Sequence, residues 1–134
     1  MVDSGDRRRL EPRELVILAE DHEALARWYV DVLGFRVVKT FSGDYHYTNL
    51  ETASGIKIGL APAAEVNVKP GDRAANTVIL QVGVPDVKAL FEHLKVSGAN
   101  VTFGPSFDEK GRFWFGGFED LEGNPIWVVD ENCP

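Results

Sequence analysis

The sequence is poor in the residues that build disulfides and metal centres. It contains one cysteine, Cys133, and three histidines among 134 residues. A single cysteine cannot form an internal disulfide, which is typical of a protein in a reducing compartment. No segment approaches about 18 consecutive apolar residues, and no apolar run follows the charges at the N-terminus. The sequence therefore predicts a cytoplasmic protein with no signal peptide and no membrane partner.

Basic residues are also scarce. The chain has 14 Lys and Arg residues and 21 Asp and Glu residues, which gives a formal net charge of −7. Nucleic acids and anionic membranes require a basic surface, so neither is an expected partner. The one basic run, residues 7–9, belongs to a polar N-terminal tail that we place at residues 1–12. Phosphate-binding glycine loops, cysteine pairs, zinc-protease helices and nucleophile elbows are absent from the sequence.

The chain contains an internal repeat. Segments 15–35 and 77–101 each carry a Val-Ile-Leu run, an aspartate, an amphipathic helical pattern and a glycine. Asp21 and Asp86 are 65 positions apart, while the two glycines that follow the helices are 64 apart. An aspartate suits the N-cap of a helix, and a glycine suits its left-handed end. The near-constant offset indicates a duplicated unit.

Strand patterns follow each predicted helix. Alternating apolar residues and turn signals predict strands at 35–41, 45–50 and 55–60 in the first half, and at 100–103, 112–118 and 125–129 in the second. The predicted fold class is α+β, with two tandem βαβββ modules at residues 13–60 and 76–131 and a linker at 61–75. Together they form one structural domain, a curved sheet around a cavity. Such a cavity is the default ligand site.

The helix RWYVDVLGF and the closing segment DLEGNPIWVV, set in this duplication, resemble the vicinal oxygen chelate superfamily. Its members include glyoxalase I, extradiol dioxygenases and the bleomycin-resistance proteins. The resemblance extends from about residue 14 to residue 130. It implies a homodimer with ligand sites where modules meet. In the enzymes of this superfamily, it also implies a divalent metal held by side chains at four strand positions.

Those four metal positions can be placed on this sequence. The resemblance puts them at Glu14, at Gly59, at Thr77 or Ile79, and at Trp127. Of these positions only Glu14 could bind a divalent cation, because a glycine, an apolar or hydroxyl residue and a tryptophan cannot complete the site. We therefore expect neither metal nor cofactor. The chain most resembles the metal-free bleomycin-resistance branch, and a binding protein is favoured over an enzyme.

The predicted ligand is a planar or aromatic small molecule in an aromatic-lined cavity. Trp127 should face this cavity, because Ile126 and Val128 should face the helices. Rings in segment 112–118 alternate between faces, and the sequence leaves open which set lines the cavity. The predicted ligand-binding residues are Glu14, His46, Tyr47, Lys57, Thr77, Gln81, Arg112, Trp114 and Trp127.

Alternatives remain at this stage. An enzyme of the same superfamily, a lyase, isomerase or dioxygenase, could use a displaced metal site of Glu14, His46 and a carboxylate of the second half such as Glu119. It could instead use metal-free acid–base chemistry from Glu14 or His46. Glu14 could instead pair with Lys57, and His46 could be an ordinary strand histidine. A scaffold without ligand would have its cavity filled by Trp127 and its neighbours.

Overall fold

The structure, a computed structural model, describes residues 7–134; residues 1–6 of the predicted N-terminal tail lie outside the described part. The first module consists of β1 (Leu15–Ala19), α1 (His22–Leu33), β2 (Arg36–Ser42), β3 (His46–Glu51) and β4 (Lys57–Pro62). The second consists of β5 (Leu80–Gly83), α2 (Val87–Val96), β6 (Val101–Asp108), β7 (Phe113–Glu119) and β8 (Pro125–Val129). Two short 3-10 helices, Ala63–Val66 and Arg73–Ala75, lie between the modules.

Both modules have the same sheet topology. The strand orders are β1-β4-β3-β2 and β5-β8-β7-β6, and the first strand of each sheet runs parallel to the last. Val16 pairs with Gly59, and Gln81, 65 positions after Val16, pairs with Trp127. The predicted α+β fold of two tandem βαβββ modules is confirmed.

The helices begin and end at the residues that the sequence marks. Asp21 accepts a hydrogen bond of 3.1 Å from the backbone N–H of Ala24, and Asp86 accepts the equivalent bond in α2. Each carboxylate satisfies a free N–H group and lies at the positive end of its helix. Gly34 closes α1 with φ of 75°, a left-handed conformation that glycine adopts without strain.

The helices cover one face of each sheet. Their apolar sides join alternate strand residues in a contiguous core, in which Leu25, Leu60, Leu94 and Val128 are fully buried. Burial of a Leu or Val side chain contributes about 1.5–3 kcal/mol relative to exposure. The opposite face of each sheet is left open, and the exposed rings of Phe41, Phe103 and Trp127 lie there.

Two strands of the second module differ from the prediction. β6 extends to Asp108 rather than ending near residue 103, and its pairing with β7 is interrupted by two register shifts. β7 begins at Phe113, because Arg112 has φ of 59° and belongs to the preceding turn. The turn before β7 therefore includes Arg112, which the sequence pattern had assigned to the strand.

The turn at 120–124 joins the modules. Glu122 accepts hydrogen bonds of 2.9 Å from the backbone N–H groups of Glu20 and Asp21, at the entry to α1. Arg73 pairs with Glu122 at 3.0 Å and also donates to Asn124 and to the carbonyl of Leu18. The motif DLEGN thus serves as an inter-module connector. No helix within residues 7–134 is long and apolar enough to cross a membrane.

Candidate functional site

The open face of the second module is aromatic. Trp127 is 45% exposed, while its neighbours Ile126 and Val128 are buried beneath the helices. Strand alternation therefore places the indole on the face opposite the core, in the orientation that the sequence predicted. Beside it lies a cavity of 390 Å³ that is also lined by Phe103, Phe113 and other residues.

Phe103 reaches this face because of a glycine. Gly117 pairs with both Phe103 and Trp127, and a Cβ added to Gly117 would overlap the Phe103 ring. The Phe103 ring therefore lies directly on the sheet. It meets Trp127 edge to face, with centroids 6.1 Å apart and planes at 87°, an orientation that aromatic pairs favour. Phe103 was missed at the sequence level.

Trp114 faces the other way. Its ring packs against the core cluster, and the Nζ atom of Lys88 in α2 lies 4.4 Å from its centroid. Trp114 is thus placed on the helix-covered face, so its inclusion among the cavity residues was wrong. Phe113 and Phe115 occupy the open face and line the cavity. Because side chains alternate along β7, either Trp114 or the pair Phe113 and Phe115 can line the cavity, but not both.

The polar residues predicted for this face are only partly gathered there. Gln81 lines the aromatic cavity next to Trp127, its partner in the sheet. Thr77 precedes β5 and Arg112 lies in the turn before β7, and both lie outside the residues that line this cavity. Cys133 also lines this cavity.

The open face of the first module carries a polar cluster. The hydroxyl of Tyr47 donates a hydrogen bond to the carboxylate of Glu14, and Nδ2 of Asn49 lies 3.0 Å and 3.1 Å from the two carboxylate oxygens. The Tyr47 phenol and the Glu14 carboxylate lie over Gly59, where an added Cβ would overlap both groups. The sequence predicted Glu14 and Tyr47 here but missed Asn49, which strand alternation places on the same face as Tyr47.

The polar cluster raises the pKa of the Tyr47 hydroxyl. Partial burial, together with the hydrogen bond to Glu14 and the charge of Glu14, raises the pKa of Tyr47 from 10.0 to about 12. Arg13 opposes this shift through its positive charge. At neutral pH the phenol is therefore a hydrogen-bond donor that holds the Glu14 carboxylate in place.

These residues do not fit a divalent cation. The 65-residue offset makes Ile79 the equivalent of Glu14, so the position left open as Thr77 or Ile79 has an apolar side chain. The volume above Gly59 is taken by Tyr47, and Trp127 is not a ligand. Within residues 7–134, no group of three or more His, Cys, Asp or Glu side chains is arranged to hold a metal.

Lys57 lies on the open face of the first module beside this cluster. It lines a cavity of 260 Å³ together with Glu14 and Asn49. Glu14 takes its hydrogen bonds from Tyr47 and Asn49, so the alternative of a Glu14–Lys57 pair is not what the structure shows.

His46 lies on the helix side of β3, with the buried residues Thr48 and Leu50, and not on the open face. Its Nδ1 is 2.5 Å from Glu65 Oε2, and its ring lies 5.7 Å from that of His22. His46 and Tyr47 are consecutive in a strand, so only one of them can face the cavity. The predicted cavity role of His46 was therefore wrong.

A metal site shared by Glu14, His46 and Glu119 is not formed either. Glu14 and His46 lie on opposite faces of the first sheet. Glu119 belongs to the second module, where its carboxylate accepts a hydrogen bond from Asn100.

A third cavity, of 360 Å³, lies between the modules along the edge of β1. Its lining is mostly apolar, and its polar side chains include Arg73 and Asn124. These two bond to each other, and Arg73 also pairs with Glu122, which leaves Lys69 and Asn76 as the other charged or amide side chains of this lining. The two open sheet faces are better candidates.

Comparison with known proteins agrees with the fold. Residues 13–128 match the model of the glyoxalase/bleomycin resistance protein/dioxygenase superfamily, and the chain belongs to that superfamily. A superfamily member from Sphaerobacter thermophilus DSM 20745 has a similar structure, with a TM-score of 0.75 and 18% identity over 92% of this chain and 98% of that one. TioX from Micromonospora sp. ML1 is also similar, with a TM-score of 0.66 and 19% identity over 90% and 95% of the chains. No match was found among curated proteins.

Proposed function

We propose that this protein binds a planar or aromatic small molecule on the open face of its second module, without a metal ion. The observation that supports this most directly is the 390 Å³ cavity lined by Phe103, Phe113, Phe115 and Trp127. Rings of this kind offer large contact areas to a flat guest, and stacking adds about 0.5–1.5 kcal/mol per pair beyond area burial. The cavity is not filled by Trp127, which argues against a scaffold without ligand.

We further propose a homodimer. Each open face exposes large apolar side chains, with Phe41 38% and Tyr45 57% exposed in the first module, and Phe103 40% and Trp127 45% exposed in the second. Exposed apolar groups concentrated on one face are typical of an interaction surface. A second copy that covered these faces would turn two shallow cavities into an enclosed site. A cytoplasmic location is part of the same proposal and is supported by the single cysteine.

The binding proposal can be tested with a neutral planar probe, 2-naphthylmethanol, by isothermal titration calorimetry. The Trp127→Ala variant should bind it about tenfold more weakly, the change that a loss of about 1.4 kcal/mol produces. Trp114→Phe is the matched control, because Trp114 lies on the helix-covered face. Equal binding by the wild type and Trp127→Ala would exclude this face as the site.

A native mass spectrum of the protein as purified tests the other two parts. We expect twice the chain mass, with no bound divalent ion and, where a ligand survives purification, an added organic mass. One divalent ion per site after dialysis would contradict the metal-free proposal.

The alternative proposal is a lyase, isomerase or dioxygenase of the same superfamily that uses metal-free acid–base chemistry. The contact between Glu14 and Tyr47 at the wall of a cavity is the observation that favours it. A pKa of about 12 makes Tyr47 a poor proton donor near neutral pH, so Glu14 would be the base. Deuterium exchange into hydroxyacetone in D₂O, lost in Glu14→Gln, would support this enzyme over the binding protein.

A further inference from the structure

The cavity of the first module has an unusual charge balance. Three basic side chains line it, those of Arg13, Lys39 and Lys57, against two acidic ones, those of Glu14 and Glu51. In the whole chain acidic residues outnumber basic ones by 21 to 14. The excess of positive charge around this cavity is therefore opposite to the charge of the protein.

Both carboxylates at this cavity already have partners. Glu14 accepts hydrogen bonds from Tyr47 and Asn49, and Glu51 pairs with Arg36. None of these partners is Arg13, Lys39 or Lys57. The two carboxylates therefore do not neutralise the basic side chains of the cavity through direct ion pairs.

The basic side chains remain available. Arg13 and Lys57 form no ion pair among residues 7–134, and Lys39 lies over the ring of Phe41, with Nζ 4.4 Å from the centroid. All three are exposed to solvent. Lys57 and Lys39 extend from strands, and Arg13 directly precedes β1, so the three charges approach the cavity from different sides.

We infer that this cavity binds an oxyanion group, a carboxylate or a phosphate, of the small molecule whose planar part stacks on the aromatic face. The inference rests on the proposed function and narrows it to an acidic aromatic ligand. Arg13 and Lys57 supply the countercharges, while the hydrogen bonds from Tyr47 and Asn49 occupy the Glu14 carboxylate. The inference includes an arrangement of the proposed homodimer in which the first-module face of one copy meets the second-module face of the other, so that the anion site and the aromatic site adjoin.

A matched set of naphthalenes tests the charge preference by isothermal titration calorimetry. 2-Naphthoate should bind about tenfold more tightly than 2-naphthylmethanol, because two or three exposed ion pairs each contribute modestly. 2-Naphthylmethylamine, which carries the opposite charge, should bind more weakly than the alcohol. The preference for naphthoate should decrease as salt is raised, since exposed charges are screened. 2-Naphthyl phosphate in the same series distinguishes a phosphate from a carboxylate ligand.

Substitutions test whether Arg13 and Lys57 cause the preference for naphthoate. The double variant Arg13→Gln/Lys57→Gln should lose the tenfold preference for naphthoate over the alcohol. Lys95→Gln, which removes a similar charge from the exposed side of α2, is the control and should keep the preference. Equal affinities for all four naphthalenes in the wild type would overturn the inference while leaving the aromatic site intact. So would an equal loss for all probes in the double variant.

A second readout does not depend on the aromatic site. Inorganic phosphate, added at constant ionic strength, should raise the thermal unfolding midpoint of the wild type but not that of the double variant. If no naphthalene binds and phosphate still stabilises only the wild type, the aromatic proposal fails and the anion site stands. If phosphate has the same effect on both proteins and naphthoate has no advantage, the anion site is disproved.

Discussion

The hydroxyl of Tyr29 donates a hydrogen bond of 2.8 Å to Oδ2 of Asp120, a residue 91 positions away in the other module. Both side chains are buried, at 1% and 5% exposure. Burial, followed by the charge of Asp120 and the hydrogen bond to it, raises the pKa of Tyr29 well above its usual value. The Tyr29 phenol and the Asp120 carboxyl group thus connect α1 to the turn that precedes β8.

Removal of this hydroxyl should destabilise the fold. The Tyr29→Phe variant leaves the buried Asp120 carboxylate without one of its donors, although Asn124 still bonds to it. We expect the free energy of unfolding to fall by about 1–3 kcal/mol. Urea denaturation followed by circular dichroism measures this change. Tyr45→Phe, at an exposed position, should change the midpoint little, and a similar loss in both variants would contradict the assigned role.

The Glu122 connector should matter more than an ordinary surface pair. Glu122 and Arg73 are each only 13% exposed, and Glu122 also accepts the N–H groups of Glu20 and Asp21. Glu122→Gln leaves a largely buried guanidinium without its countercharge, which should lower the free energy of unfolding by about 3 kcal/mol.

The control for this prediction is Glu11→Gln, which breaks the exposed pair of Glu11 with Arg9. That change should lower the free energy of unfolding by less than about 1 kcal/mol, because solvent screens an exposed ion pair. Chemical denaturation of both variants under the same conditions compares them. Equal losses would show that the connector contributes no more than a surface contact.

A side chain at Gly59 should displace the polar cluster. In Gly59→Ala the new methyl group would overlap the phenol of Tyr47 and the carboxylate of Glu14. We expect a loss of about 1–3 kcal/mol from this overpacking. The same substitution in a Tyr47→Ala background should be much less harmful, and a double-mutant cycle in urea measures the coupling. Additive losses would mean that Tyr47 does not lie over Gly59 in solution.

The raised pKa of Tyr47 should affect stability in alkali. The unfolded chain loses this phenolic proton near pH 10, while the folded protein holds it until pH approaches about 12. The stabilisation is therefore complete below pH 10 and is lost as pH rises from 10 to 12. The difference in free energy of unfolding between the wild type and Tyr47→Phe should shrink over this interval. A constant difference between pH 8 and pH 11.5 would contradict the raised pKa.

Much of the fold could be predicted from local patterns. The 65-residue offset from Asp21 to Asp86 marked the duplication, and these residues cap the two helices as expected. The orientation of Trp127 followed from the apolar residues on both sides of it. Both features could be predicted from a short segment, because helix capping and strand alternation depend on residues only a few positions apart.

The site was harder to predict because its residues come from different strands. Phe103 depends on a glycine in the neighbouring strand, and Asn49 depends on the position of Glu14 before β1. Trp114 was misplaced because the sequence pattern did not show which alternate set of rings faced the helix. His46 was misplaced because its alternation with Tyr47 was not applied to choose between them. The connector formed by Arg73 also escaped notice, since the linker carries no periodic signal.

The position of Glu122 has a consequence for synthesis on the ribosome. The loop that leads into α1 is held by a carboxylate about a hundred residues later in the chain. A nascent chain that has released only its first module lacks this carboxylate, and the N–H groups of Glu20 and Asp21 remain hydrated until the final hairpin emerges. Contacts of such long sequence separation slow folding. The first module is thus synthesised before the residue that completes it, and the entry to α1 reaches its mature form only after Glu122 has left the ribosome.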